Sequence, residues 1–256
     1  MSSAVIPVLL YHSVNDRRGD SWGVVSRAEF SRHVEVISRS GRQPITISLL
    51  AAGLRGEQAL PHRPVAITFD DGYLDTYDAV ALLGRRALRS TIYVTTANIG
   101  ALDRLSAAQI AELARTPGVE VGAHAVHHRR LDELDEGELA EEMRDSKAHL
   151  ERLTGERVDS FAYPHGAYDR RVRAAVIAAG YRSAAAVKNA LSHGRDDPFA
   201  IARWTVTART SAERLAQVLE GEGVPPAPPR ERLRTRAYRT ARRQRRRVLG
   251  VRSTQW

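Results

Sequence analysis

Short apolar runs alternate with segments of helical periodicity along most of this 256-residue chain, and that alternation is what most limits the folds open to it. Runs at 5–12, 44–47, 65–69, 90–95, 119–124, 160–163, 182–187 and 203–206 have the length and apolar content of buried strands. Helical patterns lie between them, near 27–40, 73–86, 106–115, 135–154, 169–179 and 211–220. The clearest opens at Asp135 with Glu138 three residues on, a capping-box pattern, and carries Leu139, Met143, Leu150 and Leu153 on one face. Glu133, Glu136, Glu141, Glu142 and Asp145 read as the solvated side of that helix. Repeated strand–helix units imply an α/β fold with a largely parallel sheet or barrel, whose working residues gather at the carboxyl ends of strands. His12, Asp70, Asp71 and His124 all fall at such ends. No internal repeat is evident.

Composition narrows the chemistry. Hydrophobic residues make up 43% and charged residues 27%, ordinary for a globular protein with a sizeable core. There is no cysteine, so any metal must sit on His, Asp or Glu. The opening run Ala4 to Leu10 lacks a basic flank and is too short to span a membrane, and no later stretch reaches the roughly 18 apolar residues a spanning helix needs. The expectation is a cytoplasmic protein.

Net charge is +9, but it is concentrated. Residues 230–252 hold eleven arginines against one glutamate, about +10, which leaves the rest of the chain near neutral. The expected organisation is a domain over 1–223, a stiff proline-rich linker at 224–229 and an arginine-rich tail over 230–256. The tail, with Leu233, Ala237 and Ala241 on one helical side, suits an anionic lipid surface at the inner face of the membrane, with nonspecific nucleic-acid binding or plain disorder as the alternatives. Specific nucleic-acid binding is not expected.

Two adjacent carboxylates, Asp70 and Asp71, end the apolar strand Val65 to Phe69, and Gly72 permits the turn that lets both face one site. A histidine cluster, His124, His127 and His128, follows at the end of a later strand. One carboxylate and two imidazoles form the ligand set of an open catalytic metal centre, leaving the second carboxylate to act as a base. His124 pairs with His127 or His128 on spacing alone. This combination points to a metal-assisted hydrolase.

These residues resemble a known family. Thr68-Phe69-Asp70-Asp71-Gly72, the run His124 to His128, and Phe161-Ala162-Tyr163-Pro164-His165-Gly166 are similar to the motifs of the polysaccharide deacetylases, the family 4 carbohydrate esterases. Leu9-Leu10-Tyr11-His12-Ser13-Val14 resembles the opening of its circularly permuted members, such as the poly-N-acetylglucosamine deacetylases. The resemblance runs from about Val5 to Val206. It implies a distorted (β/α) barrel of about seven parallel strands and one divalent ion, zinc first, with cobalt or nickel as alternatives. By the same resemblance Asp70 is the catalytic base, and Asp71, His124 and His128 are the ligands. His12 is the general acid that protonates the leaving amine, and His127 is a bystander or a substrate contact.

Departures from the family pattern matter. Ala125 replaces a usual Ser or Thr, and Ala162 stands where an Arg would orient the base. Arg203, in Ala202-Arg203-Trp204, resembles the Arg of a later motif in the permuted members and is the candidate for that role. His165 replaces a usual aromatic residue next to Pro164, and its backbone N–H is a candidate oxyanion donor. Leu191-Ser192-His193 imitates a late motif out of order and reads as a loop. Tyr73, Tyr163 and Trp204 are candidates for stacking on a sugar. The expected reaction is removal of an N-acetyl group from a sugar or glycan, free or lipid-linked, with O-acetyl hydrolysis or a catalytically weak carbohydrate-binding homologue as alternatives.

Overall fold

The computed structural model describes residues 5–17 and 22–228. The arginine-rich segment 230–256 lies outside the described residues. Seven strands form a closed parallel barrel in simple sequence order: β1 (Val8–Tyr11), β2 (Pro64–Phe69), β3 (Ser90–Val94), β4 (Val119–Ala123), β5 (Ser160–Ala162), β6 (Ser183–Val187) and β7 (Ile201–Thr205). Closure comes from β7 pairing with β1 through Trp204 and Leu9, while β1 pairs with β2 from Val8↔Ala66 to Tyr11↔Phe69. Gln43–Ile45 adds a strand beside the start of β2, which distorts the barrel there.

Helices α1 (Arg27–Arg39), α2 (Ile47–Leu54), α3 (Thr76–Gly84), α4 (Ala107–Arg115), α5 (Glu136–Thr154), α6 (Arg170–Ala178) and α7 (Ala212–Glu220) accompany the strands. Ser26, Thr46, Ser106, Asp135, Asp169 and Ser211 cap six of these helices with their side chains, so the polar residue before each apolar pattern fixes where the helix begins. Both halves of the expected capping box at Asp135 and Glu138 are formed. The helix expected from residue 73 starts at Thr76, because residues 71–75 are used to turn the chain at the end of β2.

Helix α2 was not legible in the sequence. Ile47-Ser48-Leu49-Leu50-Ala51-Ala52 is apolar on nearly every side, so it offers no helical stripe. Its Ile47, Leu50 and Ala51 pack with Val8, Ala66, Ala162, Ala185 and Ile201 in one cluster inside the barrel. Glu120 of β4 accepts from the Ser48 N–H and hydroxyl, which ties the N-terminus of α2 across the amino end of the barrel. The larger cluster lies between strands and outer helices and includes Leu9, Tyr11, Phe30, Phe69, Leu139, Phe161 and Leu215.

Three expectations are corrected. Pro7 breaks the run 5–12, and Val5–Ile6 pairs antiparallel with Ser192–His193, so Leu191-Ser192-His193 is not a free loop. That pairing precedes β1, at the opposite end from His12. The proline-rich stretch does not stand off as a spacer. Leu191 N–H donates to the Pro225 carbonyl, the Ala227 N–H donates to the Leu191 carbonyl, and Ala227 is buried with Ala190 and Ala202. Among the described residues, no helix is long and apolar enough to cross a membrane.

Candidate active site

Four strand ends converge at the carboxyl end of the barrel. Strand β2 delivers Asp70 and Asp71, β4 delivers His124, β1 delivers His12, and β7 carries Arg203. Asp70 still belongs to the ladder, its N–H donating to the Tyr11 carbonyl at 3.0 Å. Asp71 and Gly72 then both take left-handed backbone (φ 72° and 64°), which swings the second carboxylate round to the site. Ala125, His128 and His165 are also left-handed, although none is glycine. Such residues cost on the order of 1–3 kcal/mol each, and they persist where surrounding structure holds them.

Donor atoms of Asp71, His124 and His128 lie within 4.8 Å of one another. Asp71 Oδ1 is 3.4 Å from His124 Nε2 and 3.2 Å from His128 Nε2, yet it is buried without a well-directed hydrogen bond. His124 Nδ1 lies 2.8 Å from the Ala162 carbonyl; donating there, it fixes the tautomer that leaves Nε2 free toward Asp71. An orphaned carboxylate oxygen facing two imidazole nitrogens suits a divalent ion of the zinc type, so the residues present fit such a group. Burial would raise the Asp71 carboxyl, but the two imidazoles beside it outweigh burial and hold it well below the usual range.

Asp70 is different. It is almost fully buried, and Arg203, with no exposed surface, grips both oxygens at 2.6 and 2.8 Å. Arg203 also donates to Thr68 Oγ1 at 3.3 Å and sits over the Tyr93 ring. Burial pushes the Asp70 carboxyl up, but the Arg203 charge, then His124, pull it below its ordinary value. The neighbouring His12 has a buried Nδ1 with no partner. Burial lowers its pKa, against the opposing pull of Asp70 and Asp71.

The structure separates the two histidine spacings. His128 turns into the site, whereas His127 turns out and places Nδ1 2.9 Å from Glu142 Oε1. The other Glu142 oxygen accepts from the Val126 and His127 N–H groups at 2.8 and 3.0 Å. Glu142 therefore corrects the solvated-face expectation: it is buried on α5 and clamps the histidine turn. Glu133, expected on the same solvated face, lies outside α5, in a short turn beside Arg130. Periodicity could have exposed Glu142, since it adjoins Met143 and lies three residues after Leu139 on the buried side.

The stacking candidates fare unevenly. Tyr163 is buried, its hydroxyl donates to the Phe199 carbonyl and its N–H to Ala185, so its ring offers no face to a sugar. Trp204 packs into the outer cluster, on the opposite side of β7 from Arg203. Tyr73 lies at the rim with the Arg104 guanidinium 3.9 Å over its ring. Pro164 is buried, and His165 packs edge-on against His128 with Nε2 3.2 Å from the His128 carbonyl. Burial, then the nearby His128 and Arg130, pushes the His165 imidazole down to about 4.

Two features went unread in the sequence. Asp75 accepts from Ser13 Oγ at 2.6 Å, from the Val14 N–H at 3.0 Å and from Asn15 Nδ2 at 2.6 Å, which binds the loop after β1 to the loop after β2. Trp22, largely exposed, lies beside His12.

Similarity to known proteins bears on the family and the fold. The family model described as polysaccharide deacetylase matches residues 57–184, a span that contains Asp70, Asp71, His124 and His128 but neither His12 nor Arg203. The Bacillus subtilis (strain 168) protein YxkH, named for the same family, is 27% identical over 218 residues, covering 85% of this chain and 77% of that one. The fold is shared with the Streptococcus pyogenes deacetylase PplD (TM-score 0.78, 21% identity, 85% of this chain and 99% of that one). It is shared also with IcaB from Ammonifex degensii (TM-score 0.74, 23% identity, 84% and 97%). With its matched span running from the approach to β2 into β6 and its site residues at the barrel's carboxyl end, the chain belongs to the polysaccharide deacetylase family.

Proposed function

We propose that the protein hydrolyses N-acetyl groups on an acetylated hexosamine glycan and depends on one divalent ion, zinc first. The observation that carries this reading is the meeting of Asp71, His124 and His128 beside a fourth group, the buried Asp70, that is held by an arginine instead of by them. An ion held by those three residues would supply Lewis-acid polarisation of the amide carbonyl and a water of lowered pKa. Asp70, kept ionised by Arg203, takes the proton from the attacking water. The His165 backbone N–H is the candidate donor to the developing oxyanion. His12, on the neighbouring strand end, gives a proton to the departing amine, without which the amine is a very poor leaving group. The acetate in the PplD structure is the product expected of such a reaction.

Metal content by mass spectrometry and acetate release from N-acetylglucosamine oligomers test this together. Wild type should hold about one ion per chain, as one three-ligand site requires. Asp70→Asn should keep that ion while acetate release falls by about 10²–10⁴. No bound ion, or near-normal turnover by Asp70→Asn, would overturn the reading. Release from O-acetyl but not N-acetyl sugars would reassign the protein as an esterase.

The reading extends to location. Residues 230–252 are proposed to rest on anionic headgroups at the inner membrane face, bringing the site to a lipid-linked glycan. Flotation with phosphatidylglycerol vesicles should lose the protein when the chain stops at residue 228. That boundary keeps the 224–228 stretch, which is bonded to Leu191. Equal flotation of both forms would remove the membrane partner.

A further inference from the structure

Among the described residues, large apolar side chains are exposed at Trp22, Leu74, Leu102 and Ile177, and Trp22 is the one against a catalytic candidate. Its indole is 63% exposed, and its centroid lies 5.7 Å from that of His12 at a tilt of 57°. Leaving an indole in water forgoes the large apolar burial such a ring offers, so a rim position of this kind suits a ligand that covers it.

The backbone beneath the ring is held at several points. The Trp22 carbonyl accepts from the Ala208 N–H at 3.4 Å, and the Gly23 carbonyl accepts from the Ser13 N–H at 3.3 Å. Val24 and Val25 pair with Ser13 and Val14, the residues that follow His12. Gly23 lies against the imidazole itself, since a Cβ there would sit 3.6 Å from His12 Cβ, Cγ and Nδ1. The indole and His12 thus share one support, with the imidazole on the buried side and the indole on the open side.

We propose that Trp22 forms a saccharide subsite beyond His12, its indole face taking the apolar C–H face of the sugar ring next to the one being deacetylated. This rests on the glycan deacetylase reading. A sugar whose amine receives a proton from His12 must lie against the imidazole, so the next ring of the chain reaches the indole. A pyranose has an apolar face of C–H groups edged with hydroxyls, and stacking on the indole buries apolar surface on both partners while the hydroxyl edge stays in water. The subsite therefore selects oligomers over monomers.

Fluorescence titration tests it in the Asp70→Asn background, which stops turnover, with N-acetylglucosamine and its β-linked pentamer as probes. The pentamer should quench the parent, and adding Trp22→Ala should remove most of that quench, the other two tryptophans of the chain remaining as constant background. Read by isothermal titration calorimetry, since the variant lacks the reporter indole, pentamer affinity should fall about tenfold, the size of one lost aromatic contact. Monomer affinity should not change, and Trp22→Phe should restore most of the pentamer affinity. In the enzyme with Asp70 intact, Trp22→Ala should leave kcat on the monomer unchanged and raise KM for the pentamer. Equal losses for monomer and pentamer, or a lowered monomer kcat, would overturn the subsite and make Trp22 a support for His12. So would a pentamer affinity that does not move. A parent that binds neither probe, with wild type that releases no acetate from them, would overturn the glycan reading and the subsite with it.

Discussion

Asp70 and Asp71 are chemically identical neighbours that the structure puts into different surroundings. Arg203 neutralises Asp70 across a bidentate contact, while Asp71 faces two imidazoles. Arg203→Met should therefore do two things. It leaves a buried carboxylate without its counter-charge, which costs about 3–5 kcal/mol, visible in urea unfolding. It also lets burial raise the Asp70 carboxyl, so the base is protonated at higher pH and the acid limb of the rate profile moves upward. An unmoved limb would mean that Arg203 does not hold the ionisation of Asp70. The histidines make a second contrast. His128→Gln should abolish metal binding, whereas His127→Gln should keep the ion, because His127 points to Glu142. The reverse result in metal analysis would reassign the ligand.

At the scale of elements, the histidine turn depends on α5, a helix that contributes nothing directly to the ligand set. Both oxygens of Glu142 serve that turn, and Ala125 and His128 within it are held in left-handed backbone. Glu142→Ala frees the turn, and zinc affinity in a competitive chelator titration should fall by about 10–100-fold. Unchanged affinity would show that β4 alone positions His124 and His128. The strands, the cap at Asp135, and the placement of Asp70 and His124 at strand ends could be read from the chain because each rests on local pattern. The spacing of Glu142 from Leu139 and Met143 marks it as buried, but its partner was not legible, since only the packing of α5 against the site brings it to the histidine turn. Helix α2 was missed for a different reason: being apolar nearly all round, it has no face to reveal. Tyr163 and Trp204 were misjudged because strand alternation near a barrel mouth decides inward or outward only once the register is known.

For the molecule as a whole, acid sensitivity should come from histidines kept neutral inside it. His33 is buried in α1, with Nδ1 3.2 Å from the Tyr11 hydroxyl and Nε2 2.9 Å from the Thr210 carbonyl, which joins α1 to β1 and to the loop before α7. Burial lowers its pKa, and Thr210 and Glu29 offset only part of that. The unfolded chain takes up a proton near pH 6.5 that folded His33 refuses, so stability is full above about 6.5 and falls as pH drops toward the folded value. His12 and His165, also lowered, act with the same sign. His33→Gln should flatten the fall in urea-unfolding free energy between about pH 6.5 and 5. An unchanged slope would place the sensitivity elsewhere.

Barrel closure also orders events in time. Asp70 and its arginine stand 133 residues apart, and Arg203 arrives on the last strand, which meets the first through Trp204 and Leu9. On a growing chain, the ligand residues emerge and can assemble well before this seam zips shut. Until it does, Asp70 lacks the arginine that pairs with both its oxygens and gives the largest pull toward its charged form. On the reading of Asp70 as the base, closing the barrel and setting that base are therefore one event.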